Sequence, residues 1–377
     1  MCIARRWRRW RARGNDGRRD DRQFYGRGIV TRKARIGVIG AGWWAVVNHL
    51  PLLKANPNCE IVAVNRLGAD ELAAVAAEFD VPAAFEDYRE MLDVVPMDAV
   101  IIASPHVNHH EHALAALAKG CHVMVEKPLA TNAADARAIV AAAQAAGREI
   151  VVPYGWNFKP FTDRAHQLVA AGAIGRIEHV KLEMASALED LMAGKPMQET
   201  EGAMFRPPAS TWADPKRSGG YGWGQLVHAL GLLFRISDLQ PERVFAEFGR
   251  SPTGVDYYDA AVVRFANGAT GALSGSSTVP KHCSFQIDLR LFGSEGMLLL
   301  DIERQRLEIH RRDGNDTIVP MAPGEGGYAC EEPVELLVDI ARGAPFENRS
   351  PGLVGQRAVE VLDAMYRSAA SGRMEAV

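Results

Sequence analysis

The triplet Glu126-Lys127-Pro128 is the first place where the sequence could do chemistry. It follows the apolar run 122–125, which comes after an alanine-rich helical segment and a glycine. Such a run predicts a buried parallel strand whose carboxyl end opens onto a crevice, where doubly wound sheets bind ligands. Pro128 would fix the backbone behind the two charged residues. Taken alone, the triplet fits an ordinary charged loop better, so the flanking chain decides its meaning.

A dinucleotide fingerprint lies upstream. Residues 40–45, Gly-Ala-Gly-Trp-Trp-Ala, follow a predicted strand at 33–39 and match the pattern G-x-G-x-x-A. Gly40 permits the tight turn, and Gly42 lets the backbone approach a pyrophosphate at the N-terminus of the next helix. We therefore expect Gly40, Gly42, Trp43 and Trp44 to contact a dinucleotide.

The second predicted strand, 60–64, ends at Asn65 and Arg66. NAD enzymes usually place an acid there to hold the ribose 2′-hydroxyl. A guanidinium suits a 2′-phosphate better, so Arg66 favours NADP as the cofactor. NAD stays open, since Arg66 could instead stack on adenine or point to water.

The third strand, predicted at 99–103, leads into Ser104, Pro105 and His106, and His109, His110 and His112 follow. Two histidines sharing a helix face do not make a metal site, and neither an H-E-x-x-H pattern nor a nearby cysteine completes one. We expect no metal here. Instead, the loop 104–106, His109 and the strand-end residues Glu126 and Lys127 are predicted to lie beside the cofactor.

His228 stands at the head of a predicted apolar helix, 229–236, behind a glycine-rich segment that brings backbone close to a ligand. A histidine near its ordinary pKa can accept the proton of an alcohol as hydride leaves carbon. Without further context, a packed histidine at a helix start explains it better.

In this order, the fingerprint, S-P-H-x-x-H-x-x-x-A and G-x-H-V-x-x-E-K-P-L-A resemble the Gfo/Idh/MocA family of nicotinamide-dependent oxidoreductases, from about Lys33 to the C-terminus. The resemblance implies a Rossmann domain, then an α/β domain with a large open, mostly antiparallel sheet, acting on sugars, cyclitols or related polyols. It also implies that Lys127 touches the substrate and the nicotinamide ribose, that Asn157 and Lys159 lie near the substrate, and that His228 is the general base.

One position departs from the family pattern. The family segment G-G-x-x-x-D-x-x-x-H has an aspartate four residues before the histidine, and this chain has Gly224 there. His228 thus lacks its usual carboxylate partner, and Gln225, Tyr221 or Asp214 could orient the substrate instead. The preceding long loop, 188–217, is expected to form part of the substrate wall, with Trp212 offering an aromatic face to a sugar.

From Ile177 onward, short segments alternate polar and apolar residues and are separated by turn residues, which predicts an antiparallel sheet. One face of so broad a sheet would need cover, which a second subunit could supply. We therefore predict a doubly wound Rossmann domain at 33–154 and an α/β domain at 155–377. The latter would mediate homo-oligomerisation, and its terminal helix at 355–370 would pack back on the body.

Composition agrees with a soluble, two-domain protein. The 377 residues are 47% hydrophobic and 24% charged, and the five cysteines show no metal or disulfide spacing. Residues 1–35 carry 13 Lys or Arg against 3 Asp or Glu. We interpret residues 1–32 as a basic, disordered leader. It lacks an apolar core typical of a secretion signal, so a cytoplasmic location is expected, with no membrane partner and nucleic acid disfavoured.

The sequence therefore predicts an NAD(P)-dependent oxidoreductase that moves a hydride between nicotinamide and a carbinol carbon of a sugar, cyclitol or glycoside. Two alternatives stay open. One is a glycoside-cleaving or epimerising enzyme whose tightly bound cofactor oxidises the substrate transiently. The other is a regulatory protein that binds the dinucleotide without catalysis.

Overall fold

The computed structural model describes residues 32–377. The predicted leader lies outside the described residues, except for Arg32. Arg32 joins two distant segments, because its guanidinium pairs with Asp98 at 2.6 Å and donates to the Ala341 carbonyl at 2.7 Å.

The N-terminal part of the described chain is a parallel sheet with the strand order β3-β2-β1-β4-β5-β6. Its strands are β1 (Ala34–Ile39), β2 (Cys59–Asn65), β3 (Ala84–Phe85), β4 (Ala99–Ile102), β5 (His122–Val125) and β6 (Ile150–Val151). The helices between them are α1 (Leu50–Ala55), α2 (Ala69–Phe79), α3 (Tyr88–Val94), α4 (His109–Ala118) and α5 (Ala133–Ala146). Strands β4 and β5 are apolar and almost wholly buried because helices cover both faces of the sheet. The chain order reverses beside β1, which opens the crevice at the strand ends.

A second sheet has the order β14-β13-β12-β11-β7-β10-β9-β8-β15 in the described chain. Its strands are β7 (Ile177–Ala185), β8 (Pro241–Arg250), β9 (Asp256–Phe265), β10 (Thr270–Ser276), β11 (Gln286–Gly293), β12 (Gly296–Asp301), β13 (Arg306–Arg311), β14 (Thr317–Val319) and β15 (Glu375–Ala376). Strands β7 and β10 pair in parallel and the other neighbours are antiparallel. The predicted fold class, a Rossmann domain plus a mostly antiparallel sheet domain, is confirmed.

Helices cover one face of this second sheet. The remaining helices are α6 (Pro160–Ala170), α7 (Glu189–Met192), α8 (Ala209–Trp212), α9 (Val227–Ile236), α10 (Glu331–Arg342) and α11 (Gly352–Ser371). Helix α11 contains the predicted helix 355–370 and packs against β8, α9 and α5, so it joins the two sheets. Strand β9 alternates buried and exposed side chains because only its inner face meets these helices.

Helix α10 was not predicted, and it changes how the chain divides. It follows the second sheet in sequence, yet Val334 and Leu337 pack with Ile36 and Val38 of β1 in one apolar cluster. The boundary predicted at 154/155 therefore marks a change of sheet, while the Rossmann core also contains residues from the C-terminal part of the chain.

A π-helical turn, Gly222–Leu226, precedes α9, and a buried carboxylate anchors it. Asp256 Oδ2 accepts from the Gly222 amide at 2.7 Å, and its Oδ1 accepts from the Tyr366 hydroxyl at 2.6 Å. Asp259 lies beside it with both carboxylate oxygens buried and without a donor. Burial, with the charge of Asp256, raises the pKa of Asp259 well above its ordinary value.

Because the pKa of Asp259 is raised on folding, its protonated form contributes stability that is present at low pH and lost as pH rises through the folded pKa. Replacing Asp259→Asn should therefore raise the melting temperature at pH 8 by several degrees and much less at pH 5, as followed by circular dichroism. Asp70→Asn, at an exposed position in the first turn of α2, is the control for the loss of one surface carboxylate. An Asp259→Asn protein that is less stable at pH 8 than at pH 5, relative to wild type, would contradict the assignment.

Candidate active site

A cavity of about 2560 Å³ lies at the carboxyl ends of the first sheet and is closed on its other side by loops and helix ends from the C-terminal part of the chain. Most of the predicted site residues line it. They are Gly40, Gly42, Trp43, Trp44, Asn65, Arg66, Ser104, Pro105, His106, His109, Glu126, Lys127, Trp212, Gln225 and His228. The fold therefore brings the fingerprint loop, the Glu126-Lys127-Pro128 triplet and the head of α9 to one cavity.

The fingerprint loop fits a dinucleotide. Gly40 has φ of +83°, and a Cβ there would lie 2.4 Å from the Ser104 backbone nitrogen, so glycine is required on both counts. At Gly42, the nearest atom to an added Cβ is the Gly40 carbonyl oxygen, 3.9 Å away. The side of Gly42 that faces the cavity is thus open for the close approach of a pyrophosphate.

Arg66 closes one end of the cavity. The Arg66 guanidinium lies 3.9 Å from the centre of the Phe205 ring and donates to the Ala41 carbonyl at 3.3 Å. Its Nε is buried without a partner, and burial lowers the pKa of this group. The Asn65 side chain is already engaged, because it donates to the Phe85 and Glu86 carbonyls at 3.0 Å each. Of the two predicted residues, Arg66 is the one with donors left for a ligand.

Glu126 is held by two residues of the fingerprint helix, the continuous helical stretch 43–55 that starts in the fingerprint and includes α1. Its Oε1 accepts from Trp44 Nε1 at 2.8 Å and lies 2.7 Å from His49 Nε2. Burial alone would raise the pKa of Glu126, but the hydrogen bond to His49 and the charge of Lys127 together lower it. Glu126 is therefore an ionised anchor that ties β5 to the fingerprint loop.

Lys127 reaches from the first domain to the second. Its Nζ donates to the Gly224 carbonyl at 2.8 Å and lies 5.1 Å from the centre of the Trp212 ring. Burial lowers the pKa of Lys127 to about 8, against the opposing charge of Glu126. The ammonium is thus held by a backbone dipole and an aromatic face, with an amine form accessible near neutral pH.

Trp212 occupies the space that a side chain at position 224 would need. A Cβ on Gly224 would lie 2.7 Å from Trp212 Cζ3. The indole also meets the ring of His106 edge-on, with the ring centres 5.4 Å apart. The Trp212 ring therefore fills the space that the expected aspartate side chain at position 224 would occupy.

His228 is the second residue of α9 and is enclosed by aromatic rings. Tyr154, Trp156 and Tyr328 meet it edge-on, with ring centres 5.9, 5.7 and 5.2 Å away. The side chain is 5% exposed, and its Nδ1 is buried without a partner. Burial, followed by the charge of Lys127, lowers the pKa of His228 well below its ordinary value. His228 is therefore neutral, and Nε2 is the ring nitrogen that can bind a ligand in the cavity.

Two predicted substrate residues do not line the cavity. Asn157 is fully buried, and its amide donates to the Gly231 carbonyl at 3.2 Å and to Ser350 Oγ at 3.3 Å. Lys159 Nζ lies 3.5 Å from Glu332 Oε1 at the start of α10. The helical turn Gly155–Phe158 rotates these side chains away from the cavity and leaves Trp156 facing it. The predicted substrate contacts of Asn157 and Lys159 are therefore not supported.

The histidines after β4 each meet a separate partner. His106 Nδ1 lies 3.0 Å from the Ser218 carbonyl, His109 lies between the Pro128 and Ser104 carbonyls, and His112 meets Ser104 Oγ. Burial lowers the pKa of His106 to about 3, so its Nδ1 donates to Ser218 as a neutral ring. In residues 32–377, there is no group of three metal-binding side chains.

Two residues of this region received no prediction: Tyr328, which lines the cavity, and His49, which contacts Glu126. Phe205 also lines the cavity, and it lies in the loop 188–217 that was predicted to form part of the wall. Tyr328 donates to the Pro153 carbonyl at 2.6 Å and supports the rings around His228. The available signal for His49 was a histidine in the helical stretch that follows the fingerprint. For Tyr328, which lies on a long connection, the sequence carried none.

The Gly224 and Trp212 positions are predicted to depend on one another. Gly224→Asp should lower the free energy of unfolding by about 1–3 kcal/mol, since the new side chain collides with the indole. In a Trp212→Ala background the same substitution should cost much less, because the space is vacated. Chemical denaturation of the four proteins gives this coupling energy, and strictly additive effects would show that the two positions do not share space.

Comparisons with known proteins agree with this architecture. Residues 34–154 match the family description "Oxidoreductase family, NAD-binding Rossmann fold", and residues 162–299 match "GFO/IDH/MocA C-terminal domain". An uncharacterised oxidoreductase of Rhizobium meliloti is 24% identical over 91% of this chain and 99% of its own length. The D-apiose dehydrogenase of Paraburkholderia graminis is 26% identical over 91% and 90%.

Part of the chain resembles the D-glucoside 3-dehydrogenase of Escherichia coli K12, at 32% identity over 40% of this chain and 42% of that protein. Among solved structures, GenD2 from gentamicin A biosynthesis, in complex with NAD, superposes with a TM-score of 0.72 at 23% identity, over 94% of this chain and 99% of GenD2. Within residues 32–377, no helix has the length and apolar character to span a membrane. With the family matched over both of its sheets, this chain belongs to the Gfo/Idh/MocA family of oxidoreductases.

Proposed function

We propose that the protein is a nicotinamide-dependent dehydrogenase that moves a hydride between its cofactor and a carbinol carbon of a sugar, cyclitol or glycoside. The observation that carries the proposal is the convergence of Lys127 and His228 on the cavity that the fingerprint loop opens. The related dehydrogenases named for D-apiose and D-glucoside support the substrate class.

The chain's own groups have definite tasks in this reaction. The nicotinamide supplies the hydride chemistry when it is bound. Lys127 Nζ, held in place by the Gly224 carbonyl, has further N–H donors that can bind the reacting oxygen and stabilise negative charge on it. His228 Nε2 addresses the same oxygen from the second domain. The rings of Trp156 and Trp212, at the cavity wall, offer apolar faces to the C–H edges of a polyol and exclude water.

A catalytic test follows from these roles. Lys127→Ala and His228→Ala should each lower kcat/KM at least about 100-fold in polyol oxidation, while the melting temperature still rises with cofactor. Gln225→Ala, also at the cavity wall, is the comparison and should lose about tenfold or less. Near-normal turnover in both Lys127→Ala and His228→Ala would remove the proposed site. Failure of every polyol in the panel with wild-type protein would remove the proposed substrate class.

We also propose NADP as the preferred cofactor. Arg66 lies where nucleotide folds address the 2′-position of the adenosine ribose, and its buried Nε has no partner. Phe205 and the Ala41 carbonyl fix the guanidinium, so a 2′-phosphate would meet a preformed donor.

NADP should accordingly bind at least about tenfold more tightly than NAD in titration calorimetry, which corresponds to about 1.4 kcal/mol. Arg66→Ala should abolish this preference mainly by weakening NADP. Arg176→Ala, on an exposed arginine paired with Glu178 far from the cavity, is the matched control. Equal affinity of wild type for the two cofactors would refute the preference.

Finally, we propose that a second copy of the chain covers the open face of the large sheet. Tyr258 and Val262 are about half exposed on the uncovered face of β9, and the ring of Phe292 is exposed on β11, two strands further along the sheet. Exposed large apolar side chains on an uncovered sheet face are typical of an interface between subunits.

Sedimentation velocity should therefore show a dimer or larger assembly for wild type and a shift toward monomer for Val262→Asp. The control Val94→Asp places the same charge on an exposed valine of the first domain and should leave the assembly unchanged. A monomeric wild type at micromolar concentration would exclude this interface.

A further inference from the structure

We infer that the substrate is a glycoside with an aromatic aglycone, and that Trp156, Phe285 and Tyr328 form the subsite that binds this aglycone. The inference deepens the proposed function and rests on it, because it narrows the substrate class of the same site. It is supported by the lining of the cavity, the continuity of the three rings with His228, and the hydrogen bonds that already occupy the polar atoms of the rings.

The cavity is larger and more apolar than a free polyol needs. Its volume of about 2560 Å³ is more than twice the upper end of the range of about 300–1,000 Å³ that is typical of small-molecule pockets. Besides the aromatic rings, its lining includes large aliphatic and thioether side chains, namely Leu188, Leu191, Met197, Met204 and Ile302. A substrate with an apolar group beside its hydroxyls fits such a lining better than a free polyol does.

The three rings form a continuous apolar surface that begins at His228. Trp156 and Tyr328 meet His228 edge-on, with ring centres 5.7 and 5.2 Å away. Trp156 also meets Tyr328 at 4.8 Å and Phe285 at 5.9 Å, again edge-on. All four side chains line the cavity. A group attached to a sugar that is bound at His228 can therefore extend along Trp156 to Phe285.

Phe285 is the ring of this set that the fold covers least. It lies directly before β11, and 41% of its surface is exposed, whereas Trp156 is 2% exposed. A large apolar side chain that lines a cavity and stays exposed indicates a surface for an apolar ligand. Covering the Phe285 ring with an aglycone would remove apolar surface from water on both partners.

The polar atoms of the rings are already hydrogen-bonded within the protein. Trp156 Nε1 donates to the Gly326 carbonyl at 2.9 Å, and the Tyr328 hydroxyl donates to the Pro153 carbonyl at 2.6 Å. The rings therefore offer no free hydrogen-bond donor to the hydroxyls of a second sugar, whose desolvation would cost free energy. An aromatic group carries no such cost and can pack edge-to-face or offset against these rings.

A disaccharide is the alternative occupant of the subsite. Ser284 and Glu303 also line the cavity, next in sequence to Phe285 and Ile302, and their oxygens can accept hydrogen bonds from sugar hydroxyls. The aromatic aglycone is favoured because the surface that adjoins His228 consists of rings whose donors are occupied.

Turnover of matched glycosides distinguishes these occupants. With either nicotinamide cofactor, phenyl glycosides should be oxidised with a kcat/KM at least about 30-fold above that of the methyl glycosides of the same sugars, compared as gluco, galacto and xylo pairs in both anomeric forms. The difference should lie mainly in KM, because the aglycone binds away from the reacting carbon. Cellobiose should be no better than methyl glucoside. Equal kcat/KM for phenyl and methyl glycosides, or a preference for cellobiose over phenyl glucoside, would overturn the inference.

Phe285→Ala assigns the effect to the subsite. This substitution should lower the phenyl-to-methyl ratio of kcat/KM at least about fivefold by raising KM for the phenyl glycoside, since the aglycone loses an aromatic partner. The control Phe346→Ala removes a ring that is 46% exposed and lies outside the cavity lining, so the ratio should stay as in wild type. An unchanged ratio in Phe285→Ala would refute the assignment.

A binding measurement separates this inference from the proposed function. The full chain saturated with reduced cofactor cannot oxidise an alcohol, so calorimetric titration with 1-naphthol as a free aromatic probe reports binding alone. Phe285→Ala should bind 1-naphthol at least about fivefold more weakly than wild type and Phe346→Ala do. Binding of 1-naphthol without turnover of any glycoside would count against the proposed function and leave the aromatic subsite in place. Turnover of methyl glycosides without binding of 1-naphthol would remove the subsite and leave the proposed function in place.

Discussion

The hydrogen bond between Lys127 Nζ and the Gly224 carbonyl joins the two halves of the site. Lys127 follows a strand of the parallel sheet, and Gly224 belongs to the π-helical turn that begins under the second sheet. Further hydrogen bonds hold the residues at both ends of this contact. Glu126, held by Trp44 and His49, ties the lysine to the fingerprint loop, and Asp256 holds the amide of Gly222. The position of the fingerprint loop relative to the turn before α9 is thus fixed in part by this contact between the two parts of the chain.

The same contact explains how Lys127 can be buried without a carboxylate in direct contact with its ammonium group. A buried ammonium needs either an anion or enough dipoles, and Lys127 is given a carbonyl and an aromatic face. The adjacent carboxylate, Glu126, is turned toward the fingerprint helix and interacts with the ammonium through space. The result is a site whose charge state is sensitive to small changes in desolvation, which suits groups that exchange protons.

Much of this arrangement could be predicted from local patterns. Short apolar runs located the parallel strands, and the residues that follow them, such as Ser104 and Lys127, necessarily gather at one edge of the sheet. The fingerprint was recognisable because each glycine has a local steric reason. Asn157 and Lys159, which the family resemblance put near the substrate, do not line the cavity, because the turn at 155–158 decides which side chains of this segment face it.

Other features depend on contacts between residues far apart in sequence. His49 matters only because Glu126 lies beside it, and α10 packs on β1 although nearly three hundred residues separate them. The sequence showed that position 224 departs from the family pattern. It did not show that the Trp212 ring fills the space beside Gly224, because Trp212 lies on a long segment without a regular pattern. Local propensity identifies the elements, whereas the partners of buried polar groups require the assembled fold.

The segment that carries Phe205 and Trp212 touches the cavity at two separate places. Phe205 lies on Arg66 at the adenosine end, and Trp212 lies over Lys127 near the reacting centre. A single backbone displacement would therefore expose both ends together. Access to Arg66 and access to Lys127 are therefore linked, because one segment of the chain covers both residues.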